Sequence, residues 1–181
     1  MDVYQTLLQD HRTIQQIFGE IERTDVSEVE RRERLFRNLR EELEAHVILE
    51  ENIFYPEIDK FPIAGELVDV AFDEHAEFDA ILHEISELPV AKSEWLERFA
   101  ELKDMVQQHL FNEENRLFPA ARKELDDSRA EQLGRQIEEL KQRERLIVRW
   151  QAPGKWSILN EHTLPALIWL NARRRDLRFK W

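Results

Sequence analysis

The chain has 181 residues, of which 35% are charged, 4 are glycine and none is cysteine; that length supports one well-buried domain with an appendage, and that composition favours helices over sheets. Without cysteine there is no disulfide framework, no thiolate nucleophile and no cysteine-based zinc or iron–sulfur site, so any metal must rest on His, Asp, Glu or Tyr. The net charge of −12 argues against nucleic acid as a partner, because phosphate binding needs a surplus of Lys and Arg.

No run approaches the roughly 18 apolar residues that a membrane span needs. The stretch MDVYQTLLQDHRTI lacks the basic and apolar regions of a signal peptide, so a cytoplasmic location is expected. Charge is unevenly spread: residues 1–140 carry 16 basic and 35 acidic side chains, whereas 141–181 carry 10 basic and 3 acidic.

Leu7, His11, Ile14, Phe18 and Ile21 step by helical intervals, which predicts an amphipathic helix over about residues 2–24 with His11 on its inner stripe. Ser27 with Glu30 reads as a capping box opening a second helix. Its stripe is Phe36, Leu39, Leu43, His46, Glu50 and Ile53, and Pro56 with the Phe61-Pro62 pair is expected to close it. A third helix over about 64–88 carries Val68, Phe72, His75, Phe78, Asp79, Leu82 and Ile85, and Pro89 ends it. Ser93 caps a fourth, with Trp95, Phe99, Leu102, Val106, His109, Glu113 and Leu117 inward. Four such helices with short links predict an all-α fold, an antiparallel up-down four-helix bundle spanning about residues 1–126.

Ser128 with Glu131 reads as another capping box, opening a charged helix over 127–150 that packs outside the bundle on the thin stripe Leu133, Ile137, Leu140 and Ile147. Ala152-Pro153-Gly154 is a linker signal. Residues 151–181 form an aromatic and basic C-terminal tail, with Trp156, Trp169 and Trp181 following Trp150. Packing on the chain's own acidic body is the expected fate of those rings, and the tail is also the candidate surface for a homodimer or a protein partner.

An internal repeat carries the chemistry. His46 to Pro56 and His109 to Pro119 both read H-x-x-x-E-E-N followed by an aromatic and a proline, and Asp10-His11 matches Glu74-His75 upstream. A helix pair is thus used twice, about an approximate two-fold axis. Residues four apart on a helix differ by about 40° around it and lie about 6 Å apart along it, so His46 and Glu50, like His109 and Glu113, can reach one central point. His11 and His75 complete a set of four imidazoles and two carboxylates, and two-oxygen carboxylates at Glu50 and Glu113 can bridge two metals. A lone histidine in an apolar stripe is more often a hydrogen-bonded core residue than a ligand. Six buried ionisable groups together are different, since each would cost several kcal/mol without a partner and one shared cation centre satisfies them all. Imidazole mixed with carboxylate suits iron better than calcium or magnesium.

The order His11, His46 with Glu50, His75, and His109 with Glu113 resembles the hemerythrin-like (HHE cation-binding) domain family over about residues 3–125. The resemblance implies two non-haem iron ions, bridged by an oxo or hydroxo group, and a small diatomic or peroxide ligand: dioxygen, peroxide or nitric oxide is bound, sensed or detoxified. Oxygen carriers of the family place two histidines four apart on the third helix; here the residue four before His75 is Ala71 and the one four after is Asp79, a stand-in ligand or a support for His75.

Ferritin-like sites use Glu three before each His, whereas Leu8, Leu43, Phe72 and Val106 occupy those positions. There is no H-E-x-x-H zinc-protease pattern. Glu51 and Glu114 turn about 100° off the bundle axis and are read as outer or surface groups. His83, His162, Tyr4 and Tyr55 are left outside the metal set. An iron-responsive regulatory module with a metal-dependent fold is the alternative function, and a single metal or zinc in the same cage is a third reading.

Overall fold

The computed structural model describes residues 1–25 and 27–144; Ile147, the linker, the tail and His162 lie outside the described residues. The described chain is all-helical: α1 Val3–Glu22, α2 Val29–Leu49, α3 Tyr55–Ile58, α4 Pro62–Glu87, α5 Ser93–Asn112, α6 Phe118–Ala121 and α7 Asp127–Glu144. Helix α1 packs on α2 and α4 on α5, giving the antiparallel up-down bundle that the periodicity predicts, and α7 lies against α1.

Two apolar clusters fill the bundle, one at each end. Tyr4, Leu7, Leu49, Phe54, Tyr55, Ala71, Leu117 and Phe118 belong to the first, and α7 adds Ala130, Leu133 and Ile137 to it. Ile14, Phe18, Leu43, Phe78, Trp95, Phe99, Val106 and Leu110 belong to the second. Each of His11, His46, His75 and His109 therefore sits in sequence between a residue of one cluster and a residue of the other, and the four form a buried polar layer between two dry ones.

Helix α4 ends at Glu87, ahead of Pro89 as expected, but Pro56 does not stop the helix it follows, and neither does its counterpart in the repeat, Pro119. Helix α2 runs into a π turn at Glu50–Phe54 and on through α3, and α5 runs into a matching π turn at Glu113–Leu117 and on through α6. The wider turn takes up the hydrogen bond that Pro56 or Pro119 cannot donate, so the chain stays helical past each. The asparagine of each repeat serves this turn: Asn52 Nδ2 donates to the Ile48 carbonyl at 2.7 Å and Asn115 Nδ2 to the Phe111 carbonyl at 2.8 Å.

Capping also departs from expectation. Ser27 gives its N–H and hydroxyl to Asp25 Oδ1, and Glu28 is the N-cap of α2, so no box forms with Glu30. Asp2 and Gln5 form the box that opens α1. Ser93 is already the first residue of α5, behind Lys92. Asp126, not Ser128, accepts from the Arg129 N–H at 2.9 Å at the start of α7. At α7 a short acidic side chain thus takes the free N–H that the serine was expected to take, while α2 and α5 start without a side-chain cap.

Helix α7 is held at three places. Arg129 grips Glu57 through Nε at 3.1 Å and a second nitrogen at 2.5 Å, and Lys141 Nζ meets Asp10 Oδ1 at 2.5 Å. Between them, a Cβ on Gly134 would fall 2.5 Å from the Met1 carbonyl oxygen, so only glycine lets α7 approach the N-terminal turn this closely. No helix among the described residues is long and apolar enough to cross a membrane.

Candidate metal centre

All six predicted residues meet in the polar layer, and each is at most 4% exposed. They form two overlapping groups of donor atoms: His11, His46, Glu50 and Glu113 in one, Glu50, His75 and His109 in the other, with the chosen atoms within 4.8 Å of one another in each. Glu50 spans both, with Oε1 at 3.3 Å from His46 Nε2 and Oε2 at 3.5 Å from His75 Nε2. Glu113 Oε2 faces both halves as well, at 3.2 Å from His11 Nε2 and 3.5 Å from His109 Nε2.

The site passes a test for a cation. His11 Nε2, His46 Nε2, Glu50 Oε1 and Glu113 Oε2 are buried and make no hydrogen bond, although they lie close together. Lone pairs directed at a common centre rather than at one another produce that arrangement, and leaving four such atoms bare costs about 1–3 kcal/mol each. In the other half, His75 Nε2 and His109 Nε2 face each other at 3.2 Å. Both rings give Nδ1 to carboxylates, so two acceptor nitrogens confront one another unless a cation or proton lies between them.

Around this inner set stands a ring of carboxylates, one sequence position away from a member of the set in every case. Glu114 Oε1 is 2.8 Å from His11 Nδ1, Glu51 Oε1 is 3.1 Å from His75 Nδ1, and Glu74 Oε2 is 2.6 Å from His109 Nδ1. Asp10 Oδ2, related to Glu74 by the repeat, stands 3.9 Å from His46 Nδ1. The geometry that turns Glu51 and Glu114 off the axis aims each at a histidine of a neighbouring helix. Such carboxylates fix the tautomer and raise the basicity of a metal-binding imidazole.

Asp79 does not join this ring: it is exposed, and Glu51 occupies the position behind His75. His83 is exposed too. Tyr55, by contrast, reaches the centre. Its hydroxyl donates to Glu113 Oε1 at 2.8 Å and lies 3.2 Å from Glu50 Oε2, while its ring stacks on His75. The repeat puts Phe118 in the same relation to His11, stacked but without a hydroxyl. The signal for Tyr55 was available in the alignment of the two repeats, as the one aromatic pair that differs in polarity. Tyr4 stays in the core, under the Arg122 guanidinium.

Burial and proximity set the charges of the metal-free site. Burial lowers His11, but the Glu113 and Glu114 carboxylates outweigh it and raise the imidazole to about 9. Burial dominates at His46 and takes it down to about 4. Burial and the neighbouring Glu113 charge push Glu50 well above the usual carboxylate range. Glu113 moves the other way, because His109, His11 and His46 overcome its burial. Two carboxylates driven apart in this manner behave as a pair sharing a proton.

A helical bundle with a buried layer of four histidines and two glutamates defines a class of metal-binding protein. A family model described as Hemerythrin HHE cation binding domain matches residues 2–121, and the chain belongs to that family. A solved structure with the same architecture, an HHE cation-binding domain-containing protein from Mycobacterium kansasii described as an Rv2633c homolog, is 25% identical with a TM-score of 0.72, the match covering 80% of this chain and 88% of that one. The chain is also 25% identical, over 154 residues, to a protein of Nostoc sp. (strain PCC 7120) named DNA nickase. That match takes in 85% of this chain but only 43% of the relative, so the chain spans less than half of the relative's length.

Proposed function

We propose that this chain is a non-haem di-iron protein that binds, senses or detoxifies a small oxidant: dioxygen, peroxide or nitric oxide. The observation that carries the reading is the pair of overlapping donor groups sharing Glu50, with four of their buried donor atoms bare of hydrogen bonds. His11, His46, Glu50 and Glu113 would hold one cation; His75 and His109, with Glu50 and Glu113 as shared carboxylates, would hold the other. Bound iron would supply a one-electron redox couple with open positions for a small ligand. The protein's own part is to orient the imidazoles through Glu114, Glu51 and Glu74, to keep the layer dry between two apolar clusters, and to hold a hydroxyl proton at Tyr55 beside both shared carboxylates.

A regulatory reading draws on a different observation, the contact between Lys141 of α7 and Asp10 behind His46, which ties an added helix to the site.

One experiment separates the two. Ferrous-loaded protein is mixed anaerobically with hydrogen peroxide or nitric oxide, or exposed to dioxygen, and its visible spectrum and the consumption of the oxidant are followed. A spectral change on mixing, or consumption of the oxidant, supports the oxidant reading. An unchanged spectrum without consumption, together with a change in protease sensitivity of α7 on iron removal, supports the regulatory one and sinks the first.

A further inference from the structure

Three of the four histidines give Nδ1 to a carboxylate, at 2.8, 3.1 and 2.6 Å. His46 is the exception. Its Nδ1 and the facing Asp10 Oδ2 are both buried, 3.9 Å apart, and neither makes a hydrogen bond. The position related by the repeat shows what is missing, since Glu74 closes on His109 and takes a second hydrogen bond from Asn112 Nδ2 at 3.3 Å.

Two things distinguish Asp10 from Glu74. Its side chain is one methylene shorter, and Lys141 Nζ holds its other oxygen at 2.5 Å. That lysine comes from α7, a helix with no counterpart in the repeat, and the pair is partly sheltered, with side chains 24% and 14% exposed.

We propose that α7, through Lys141, holds Asp10 back from His46 and so makes the two metal positions unequal, the His11–His46 position being the weaker. This rests on the di-metal reading above. Lys141 is a positioning residue: it touches no member of the inner set and acts only through the carboxylate that would orient His46. The physical basis is that a carboxylate on the far nitrogen of a metal-binding imidazole strengthens its hold, and loss of such a partner commonly lowers affinity by about 10–100-fold. An ammonium on that carboxylate both draws the oxygens away and cancels their charge. Any event that lifts the end of α7 from α1 would free Asp10 to close on His46 and tighten that position.

The test is a titration of the full chain with Co(II) against a chromophoric chelator. Wild type is expected to fill in two steps, with His46→Ala losing the weaker. Lys141→Met is expected to strengthen the weaker step by about 10-fold and narrow the gap. The double change Lys141→Met with Asp10→Asn should abolish that gain. Arg129→Met is the control: it cuts the α7 grip on Glu57, lowers the melting temperature and leaves the gap unchanged. A gap in Lys141→Met equal to that in Arg129→Met, or a weaker first step, overturns the inference alone. A chain that takes up no cobalt overturns the di-metal reading, and this inference with it.

Discussion

Replacing His46 by alanine separates a metal ligand from a buried core histidine, because the two roles predict opposite patterns with and without metal. In the metal-free protein both ring nitrogens of His46 are buried and make no hydrogen bond. Deleting the ring removes that cost, roughly 1–3 kcal/mol per orphaned atom, and leaves a cavity whose cost is of similar size. The two offset to within about 1 kcal/mol, so the metal-free melting temperature moves by only about 2–4 °C.

With metal the outcome changes. A cation that binds only the folded chain stabilises it by about 2.7 kcal/mol when its free concentration is about 100 times Kd. For a domain of this size that is a rise of about 5–11 °C. In His46→Ala that metal-dependent rise should shrink to a fraction of its size. The assay is a thermal melt of each variant with chelator and with saturating ferrous iron under anaerobic conditions. His83→Ala, at an exposed position, should keep both melting temperatures and the full rise. A His46→Ala protein that retains the whole metal-dependent rise, or an equal loss in His83→Ala, would refute the assignment of the inner set.

Three further outcomes follow. Glu114→Gln keeps the shape of the group 2.8 Å from His11 Nδ1 but removes its charge, and metal affinity measured by chelator competition should fall about 10–100-fold while both metals still bind. Metal must expel the proton of His11, held up to about 9, and that of Glu50, held well above the usual carboxylate range; affinity should therefore rise with pH by about one to two log units per unit between pH 6 and 8, and isothermal titration in buffers of different ionisation enthalpy should detect the released protons. Gly134→Ala places a methyl group 2.5 Å from the Met1 carbonyl, which should destabilise the docked α7 by about 1–3 kcal/mol in a thermal melt and leave the metal content unchanged.

The meeting of the six inner residues was legible in the chain because helical spacing of His46 with Glu50, and of His109 with Glu113, repeats with matched neighbours. A helix is rigid, so four-residue spacing converts directly into a shared direction. The outer carboxylates were only half legible. Turning Glu51 and Glu114 off the axis follows from the same geometry, but their pairing with His75 and His11 depends on which helices lie side by side, and no single helix encodes that. The π turns were not legible because a proline is ordinarily a stop, whereas here the wider turn ahead of Pro56 and Pro119 accommodates it. Lys141 was illegible for another reason: α7 lies outside the repeat, so its register against α1 is set by Gly134 and the Arg129–Glu57 pair rather than by any pattern shared with the bundle.

Elemental analysis of the full chain, purified after expression with iron and freed of loosely held metal, bears most directly on the central claim. Two iron atoms per chain are predicted, falling to one or none when Glu50 and Glu113 are both changed to Gln. One iron per wild-type chain, zinc in its place, or a content that the double change leaves untouched would contradict it.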